Sequence, residues 1–540
     1  MMEHSNVYKS ATVYSDRNGL LEIRTFESAR WLPLAAVLAV GVFYLLTIRA
    51  GHEWGDDFSL YLMHARNIAA GLDYRPAAYL HYSPYIGPDA YPPVFPLLLA
   101  PVWWLFGFNL TAMKFVVVAM FLASLLVFGQ MLKEKMSYLW QAALIAVVGF
   151  CPYIWDKKDR LTSDLVFLFF AYLGMLLVNK AYPANQPDRA NEWSSQRLKL
   201  ALITGLVFYL AYGTRSLGLL LVPCLLLFDL VHRRKWLPSR FACVATAVTG
   251  TLVLAQSRML HSDRGYYDQL ATSFQDSLGA WLSYIHENLI GYGITLAEIW
   301  DNGHSRQVRL ALASIMTILI AIGFLSKVRK RLDYPELFGV VYLIAVCVVP
   351  MDGGGRYLIP LIPFFVLYAW QGLRSLPVRT GYRNAIAIAL GIAILGSYAA
   401  RYTKLDLKKF PDGIAKAESV EFFDYVNQRT SPTDVFVFTK PRALALFTER
   451  KSSFYPLHLN DKGLWEYFQR IKATHIVLGP KGISPEEQEF LAAFVGKYSG
   501  SLRKEFANGD FVSYRILEIP QASGRTNYKR TRLTDPLPQE

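Results

Sequence analysis

Residues 31–57 read WLPLAAVLAVGVFYLLTIRAGHEWGDD. Apart from Thr47 and Arg49, the stretch 31–50 is apolar or aromatic. Twenty helical residues rise about 30 Å, the thickness of a bilayer's hydrocarbon core. The stretch therefore predicts a membrane-spanning helix. Some thirty mostly polar residues precede it, unlike the short basic start of a cleavable signal peptide, so it reads as a retained first span. It runs out against two adjacent carboxylates, Asp56 and Asp57.

The same apolar signature recurs along the chain. Runs at 112–131, 138–154, 161–178, 198–212, 216–230, 236–255, 310–325, 337–350, 357–370 and 385–400 bring the expectation to about eleven transmembrane helices. Of the 540 residues, 53% are hydrophobic and 18% charged, a balance that suits a polytopic membrane protein. With the N-terminus in the cytoplasm, the basic loops at 133–135, 232–235, 327–331 and 374–383 all fall inside. The outside loops are longer and poorer in Lys and Arg, as the positive-inside rule demands. That asymmetry accounts for the formal net charge of +14. Nucleic-acid binding is disfavoured, because the basic residues flank apolar runs and form no soluble basic face. The segment 94–106, VFPLLLAPVWWLF, reads as an interfacial helix. The run 198–230 reads as a hairpin broken at Gly213-Thr214-Arg215. Four cysteines lack any CxxC or Cys/His spacing and are expected to be buried small hydrophobes.

The expected fold class is an all-α polytopic membrane protein with a small C-terminal extracytoplasmic α/β domain. Residues 1–30 would be a cytoplasmic segment and 31–402 the membrane domain, with outer loops at 51–110 and 256–306. The second outer loop holds an amphipathic stretch near 281–300. Residues 403–520 alternate helices (418–428, 485–497) with strands (435–439, 475–478, 511–519), with Ser484 expected to cap the second helix. The tail, 521–540, reads as disordered.

Several polar groups gather on the outer side. Asp56 and Asp57 open an amphipathic helix, 58–70, and either cap it or face a wet cavity, since paired charges at a membrane edge cost solvation. The segment AYPPVFPLLLAP, 90–101, is a proline-stiffened turn. DKKDRLTSD, 156–164, places Asp164 at the outer end of a span with Arg160 one turn before it. Both read either as interfacial anchors or as site residues. Arg215 in YGTRSLGL, and Arg356 with Tyr357 in GGGRYLIPLIP, lie outside against the orientation rule. Ion pairs with aspartates would explain them, and so would an anionic ligand such as a phosphate. No Walker, GxGxxG, HExxH or GxSxG motif is present.

The order Asp56-Asp57, Tyr61, Ala65-Arg66, AAG, YPPVFPLLLAP, TSD, TRSLGL and GRYLIPLIPF resembles the bacterial GT-C glycosyltransferases. More narrowly it is similar to their family 39, the group of protein O-mannosyltransferases and lipid A aminoarabinose transferases. The resemblance covers about residues 31–365. It implies a GT-C membrane domain in a bacterial inner membrane, with the site on the extracytoplasmic face. It also implies a polyprenyl-phosphate sugar donor, a lipid, glycan or protein acceptor, and inverting transfer. The base it implies is Asp57 or Asp56, with Asp57 favoured by its spacing to Tyr61, and Asp164 matches a second acidic position. It suggests Arg215, Arg356 and Arg160 for the donor phosphate and Tyr61, Arg66, Tyr91 and Tyr357 as cavity lining. Two departures stand out. The acidic pair is Asp-Asp where many relatives have Asp-Glu. Tyr91 replaces the lysine that precedes the double proline in aminoarabinose transferases, which argues against that sugar. No cofactor or metal ligand is assigned, although the carboxylates could take a divalent cation. The alternative class is a polytopic transporter or lipid-glycan flippase, which usually carries internal repeats and broken helices at the membrane midplane. No convincing repeat is seen. A non-catalytic membrane scaffold would not need charges gathered at span ends.

Overall fold

The computed structural model describes residues 29–80, 90–133, 135–183, 193–260, 278–300, 303, 305–348, 354–457 and 459–519. The expectations for the N-terminal segment up to 28, for 261–277 of the second outer loop and for the 521–540 tail lie outside the described residues.

Each of the eleven apolar runs overlaps a helix, although the 138–154 run divides into Tyr138–Gly149 and Pro152–Lys157 and the 357–370 run begins in the 3₁₀ turn Gly355–Leu361. Six described helices are long and apolar enough to cross a membrane: Leu110–Leu132, Asp164–Ala181, Ser216–Arg233, Arg240–Leu260, Arg306–Lys330 and Thr380–Tyr402. Leu32–Leu46, Tyr138–Gly149 and Tyr334–Val348 are apolar but shorter. Eleven is thus a count of apolar helices, not of established crossings. The Leu32–Leu46 helix has Pro33 in its first turn, where the missing N–H has no intrahelical partner to lose. At its other end the Thr47 hydroxyl donates to the Phe43 carbonyl at 2.7 Å.

The helix Val94–Phe106 has the bounds read from sequence. Val94 and Phe95 are buried while Trp104, Leu105 and Phe106 are exposed, which suits a helix lying at the interface. The 198–230 run does break: Ser195–Tyr212 ends at Gly213, a 3₁₀ turn covers Ser216–Leu220, and Leu221–Arg233 follows. The stretch near 281–300 extends into one helix, Leu278–Trp300, whose Tyr292 hydroxyl donates to the Val346 carbonyl at 3.2 Å. Helices Arg306–Lys330 and Ile362–Ser375 approach until a methyl on Gly372 would collide with the Leu319 carbonyl. Small residues permit such close helix contacts in membranes. Cys151, Cys224 and Cys347 are buried, whereas Cys243 is exposed on the apolar Arg240–Leu260 helix, contrary to expectation.

Beyond Tyr402 lies a mixed five-stranded sheet. Its strands are β1 (Val435–Val437), β2 (Lys451–Ser453), β3 (His475–Leu478), β4 (Leu502–Ala507) and β5 (Val512–Ile516). Their order is β2-β1-β3-β5-β4. β1 pairs in parallel with β2 and β3, and β5 runs antiparallel to β3 and β4. Helices Pro441–Thr448 and Asp461–Arg470 make the crossovers that parallel pairing requires. Helix Pro485–Lys497 forms as read, but Ser484 has φ +49 and does not cap it. The Ser484 hydroxyl instead accepts from the Lys440 ammonium at 3.2 Å.

The segment after the first helix holds this sheet in place. The Leu80 N–H donates to the Ser452 carbonyl, and the Ser452 N–H to the Ala78 carbonyl, each at 2.9 Å. Residues 78–80 thereby extend the sheet alongside β2, the way an added strand covers an open edge. Nearer the first span, the Ala50 N–H donates to the Lys408 carbonyl at 2.6 Å and the Ile414 N–H to the His52 carbonyl at 2.9 Å. Trp54 packs on Phe423, Phe438 and Phe511.

Candidate active site

The amphipathic helix Asp57–Ala70 begins where the first outer loop meets the C-terminal sheet. Asp56 stands at its N-cap position but makes no side-chain bond to that helix. Its Oδ1 instead accepts the backbone N–H groups of Arg442 at 3.1 Å and Ala443 at 3.2 Å. Asp56 therefore caps a different helix, Pro441–Thr448, whose unpaired first-turn donors attract an anion. Burial pushes its carboxyl up to about 6, against the pull of Arg442.

Asp57 turns the other way. Its Oδ1 accepts the Tyr91 hydroxyl at 2.6 Å, and its Oδ2 accepts from the Arg356 guanidinium at 2.7 Å. Arg442 reaches the same Oδ1 at 3.4 Å and donates to the Tyr91 oxygen at 2.7 Å. Burial opposes the Asp57 charge, but Arg356, Arg442 and the Tyr91 hydrogen bond outweigh it and hold the carboxyl below its usual range. Accessibility separates the acids. The Asp57 side chain is 31% exposed, Asp56 14% and Asp164 2%.

Arg356 owes its position to the glycines before it. Gly354 takes φ +58, a conformation that side chains disfavour. A Cβ on Gly355 would stand 2.6 Å from the Tyr153 hydroxyl and would also collide with Thr295. The following turn, Gly355–Leu361, then projects Arg356 at Asp57.

No family model matches the sequence, and no curated protein is significantly similar to it. Solved structures are similar. The oligosaccharyltransferase AglB from Archaeoglobus fulgidus, in complex with an inhibitory peptide and a dolichol-phosphate, superposes with a TM-score of 0.56 at 12% identity, over 84% of this chain and 70% of that one. ArnT from Cupriavidus metallidurans, bound to undecaprenyl phosphate, superposes with a TM-score of 0.54 at 12% identity, over 92% of this chain and 100% of that one.

The chain has the GT-C fold.

Within the GT-C fold, the residues singled out in the sequence divide into groups. Asp56, Asp57, Tyr91 and Arg356 come together, with the Tyr61 ring tilted at 34° against Tyr91, 4.6 Å between ring centres. The Tyr61 hydroxyl is hydrogen-bonded to that of Ser163 at 2.9 Å. Beside it Asp164 is ion-paired with Arg215, whose guanidinium lies 4.7 Å from the centre of the Tyr357 ring. Arg160 is engaged by Asp156 at 2.7 Å and by Glu53. Arg66 lies apart and pairs with Glu449 of the C-terminal region at 2.9 Å.

Two further cations stand near this site without a motif to mark them. Arg442 is one, placed between the carboxylates by the C-terminal sheet. The other is Lys157, at the end of helix Pro152–Lys157, 3.7 Å from Asp156. Burial, then Arg160, brings its ammonium down to about 8. Among the described residues no group of three His, Cys, Asp or Glu side chains is placed to hold a metal. Asp57 gives both oxygens to hydroxyl and guanidinium donors, and Asp56 gives Oδ1 to two backbone N–H groups.

The roles of the two aspartates can be separated. A carboxyl whose pKa folding raises favours the folded chain while protonated. That contribution is full below its ordinary range and is lost as pH rises through about 6 for Asp56. Asp56→Asn stays neutral and can still accept both N–H groups, so the domain should remain docked. Asp56→Ala removes the cap and should cost on the order of 1 kcal/mol. Hydrogen exchange at the Arg442 and Ala443 amides, faster in Asp56→Ala than in Asp56→Asn, checks this.

Proposed function

We propose that this protein is an integral-membrane glycosyltransferase that moves a sugar from a polyprenyl-phosphate donor to an extracytoplasmic acceptor, with inversion and with Asp57 as base. The observation that carries the reading is the contact between Asp57 and Arg356. Both side chains are about one-third exposed, while the other candidate acids are more deeply covered. An accessible carboxylate against an accessible guanidinium offers a base and a phosphate anchor side by side. Two proteins of similar fold support the donor class, one solved with undecaprenyl phosphate and one with a dolichol-phosphate.

In the proposed step the acceptor hydroxyl attacks the anomeric carbon from the side opposite the phosphate. The C–O bond to the phosphate breaks and its electron pair leaves on the phosphate oxygen. Asp57 takes the hydroxyl proton. Arg356, aided by Lys157, balances the charge developing on the leaving group. Asp57 is a weak base while Arg356 holds it. Once the donor phosphate engages Arg356, that cation no longer serves the carboxylate alone and its basicity rises. The mechanism thus implies that donor binds first.

The test uses full-length protein in detergent with a panel of undecaprenyl-phosphate-linked hexoses and pentoses and a membrane-lipid extract as acceptor source. Release of undecaprenyl phosphate, followed by mass spectrometry, supports the transferase. No release and no binding of undecaprenyl phosphate would overturn it. Movement of intact donor across vesicles without release would point to a flippase instead.

A further inference from the structure

We propose that the C-terminal domain completes the carboxylate centre, with Arg442 as a positioning residue that fixes Asp57 and Tyr91 from outside the membrane domain. This rests on the reading of Asp57 as the working carboxylate.

The Arg442 side chain is 1% exposed. A guanidinium that deeply covered is costly unless it is paired and hydrogen-bonded. Several of its partners come from the loop after the first helix. Among them are the Tyr91 hydroxyl at 2.7 Å, Asp57 Oδ1 at 3.4 Å and Asp56 Oδ2 at 3.7 Å. The rings of Tyr79 and Tyr91 lie 5.0 Å and 5.3 Å from its guanidinium carbon. Asp56 holds the backbone of the same residue through its N–H group. One carboxylate therefore grips the main chain of Arg442 while its neighbour takes the side chain.

The hydrogen bonds form a directed chain. Arg442 donates to the Tyr91 oxygen, and Tyr91 donates to Asp57 Oδ1. With Oδ1 held on that side, Oδ2 is turned toward Arg356, itself 35% exposed. The charged and titratable groups facing Asp57 are Arg356 from the Gly355–Leu361 turn, Arg442 from the C-terminal domain, Tyr91 from the loop before Val94–Phe106, and Tyr61 and Asp56 from its own helix and its start. Removing Arg442 removes one of two cations and loosens the rotation of the carboxylate. A role limited to gluing the domain would predict neither effect on Asp57 in a domain that stays docked.

The experiment labels full-length protein in detergent with a water-soluble carbodiimide and an amine, and reads Asp57 by peptide mass spectrometry. The carboxyl passes its proton to a carbodiimide nitrogen as its oxygen adds to the central carbon, so the rate at fixed pH follows the protonated fraction. Arg442→Gln should label Asp57 about tenfold faster at pH 5, equivalent to a rise of about one pKa unit on loss of one neighbouring cation. Arg442→Lys, similar in bulk and still charged, should return the rate close to wild type. Hydrogen exchange at Leu80 and Ser452 reports whether the domain stays docked. Unchanged labelling in a docked Arg442→Gln overturns the proposal. If only Arg442→Gln undocks, Arg442→Lys decides: a wild-type rate supports the positioning cation and a raised rate overturns it. Undocking in both variants overturns it in favour of a purely structural contact. The labelling does not depend on turnover. A chain that shows the shift yet neither binds undecaprenyl phosphate nor releases it from any donor would sink the transferase reading alone.

Discussion

Asp57→Asn should lower sugar transfer by about 10³-fold, within the range that a positioned general base contributes, while the protein folds and docks its C-terminal domain normally. The substitution keeps the shape of the side chain. Its amide oxygen can still accept from Tyr91, so the Tyr91–Arg442 contact has no reason to dissolve. What is lost is the ability to take a proton and the charge that meets Arg356. Donor affinity should hold or rise, because Arg356 no longer has a carboxylate competing for it. Release of undecaprenyl phosphate gives the rate, and binding of undecaprenyl phosphate alone gives the affinity. Asp56→Asn is the matched control and should keep transfer within a few-fold of wild type, because Asp56 serves the Pro441–Thr448 helix. The reverse pattern, with Asp56→Asn inactive and Asp57→Asn active, would move the base to Asp56.

The sequence made the membrane helices legible because apolar length is a strong signal. The bounds of Val94–Phe106 are legible because Pro93 and Gly107 flank an unbroken apolar run. The break at Gly213-Thr214-Arg215 is legible as a polar interruption of an apolar run. In the C-terminal domain, strands β2 and β4 carry little sequence signal. Lys451–Ser453 is short and polar, and Leu502–Ala507 has three charged residues in six. Ser484 looked like a cap by type, but its left-handed backbone takes it out of the capping geometry.

The site was legible as a set of residues and not as a set of contacts. Arg66 shares a helix with Asp57, yet nine residues of rise separate them by about 13 Å, and it meets Glu449 instead. Asp57 and Arg356 are 299 residues apart, and Asp57 and Arg442 are 385 apart. No local pattern encodes such pairings. A faint signal for Arg442 did exist. It is the one charged residue in PRALALFT, a helix otherwise buried almost throughout. A lone arginine in such a helix needs a partner from elsewhere.

The second large effect concerns stability. Asp164→Ala should destabilise the protein by about 3–5 kcal/mol, because it strands the cation of a buried pair. Arg215 is 12% exposed and Asp164 2%, at the N-terminal end of Asp164–Ala181. The Thr162 hydroxyl donates to the other Asp164 oxygen at 2.7 Å, and Tyr357 lies under the guanidinium. Arg215→Ala should cost a similar amount for the mirror reason. The paired change Asp164→Asn with Arg215→Gln should cost far less than the two alanine changes added together, since no charge is left unmatched. Thermal melting of the four proteins in one detergent reads the series, and their transfer rates at a temperature where all are folded read the chemistry. A stable but inactive Asp164→Ala would place Asp164 in the reaction and remove the pair from the scaffold. The geometry favours the scaffold. Each group already satisfies the other, and neither approaches the exposure of Asp57 or Arg356. The two arginines therefore differ in their surroundings, with Arg215 neutralising a helix-end aspartate and Arg356 more exposed beside Asp57.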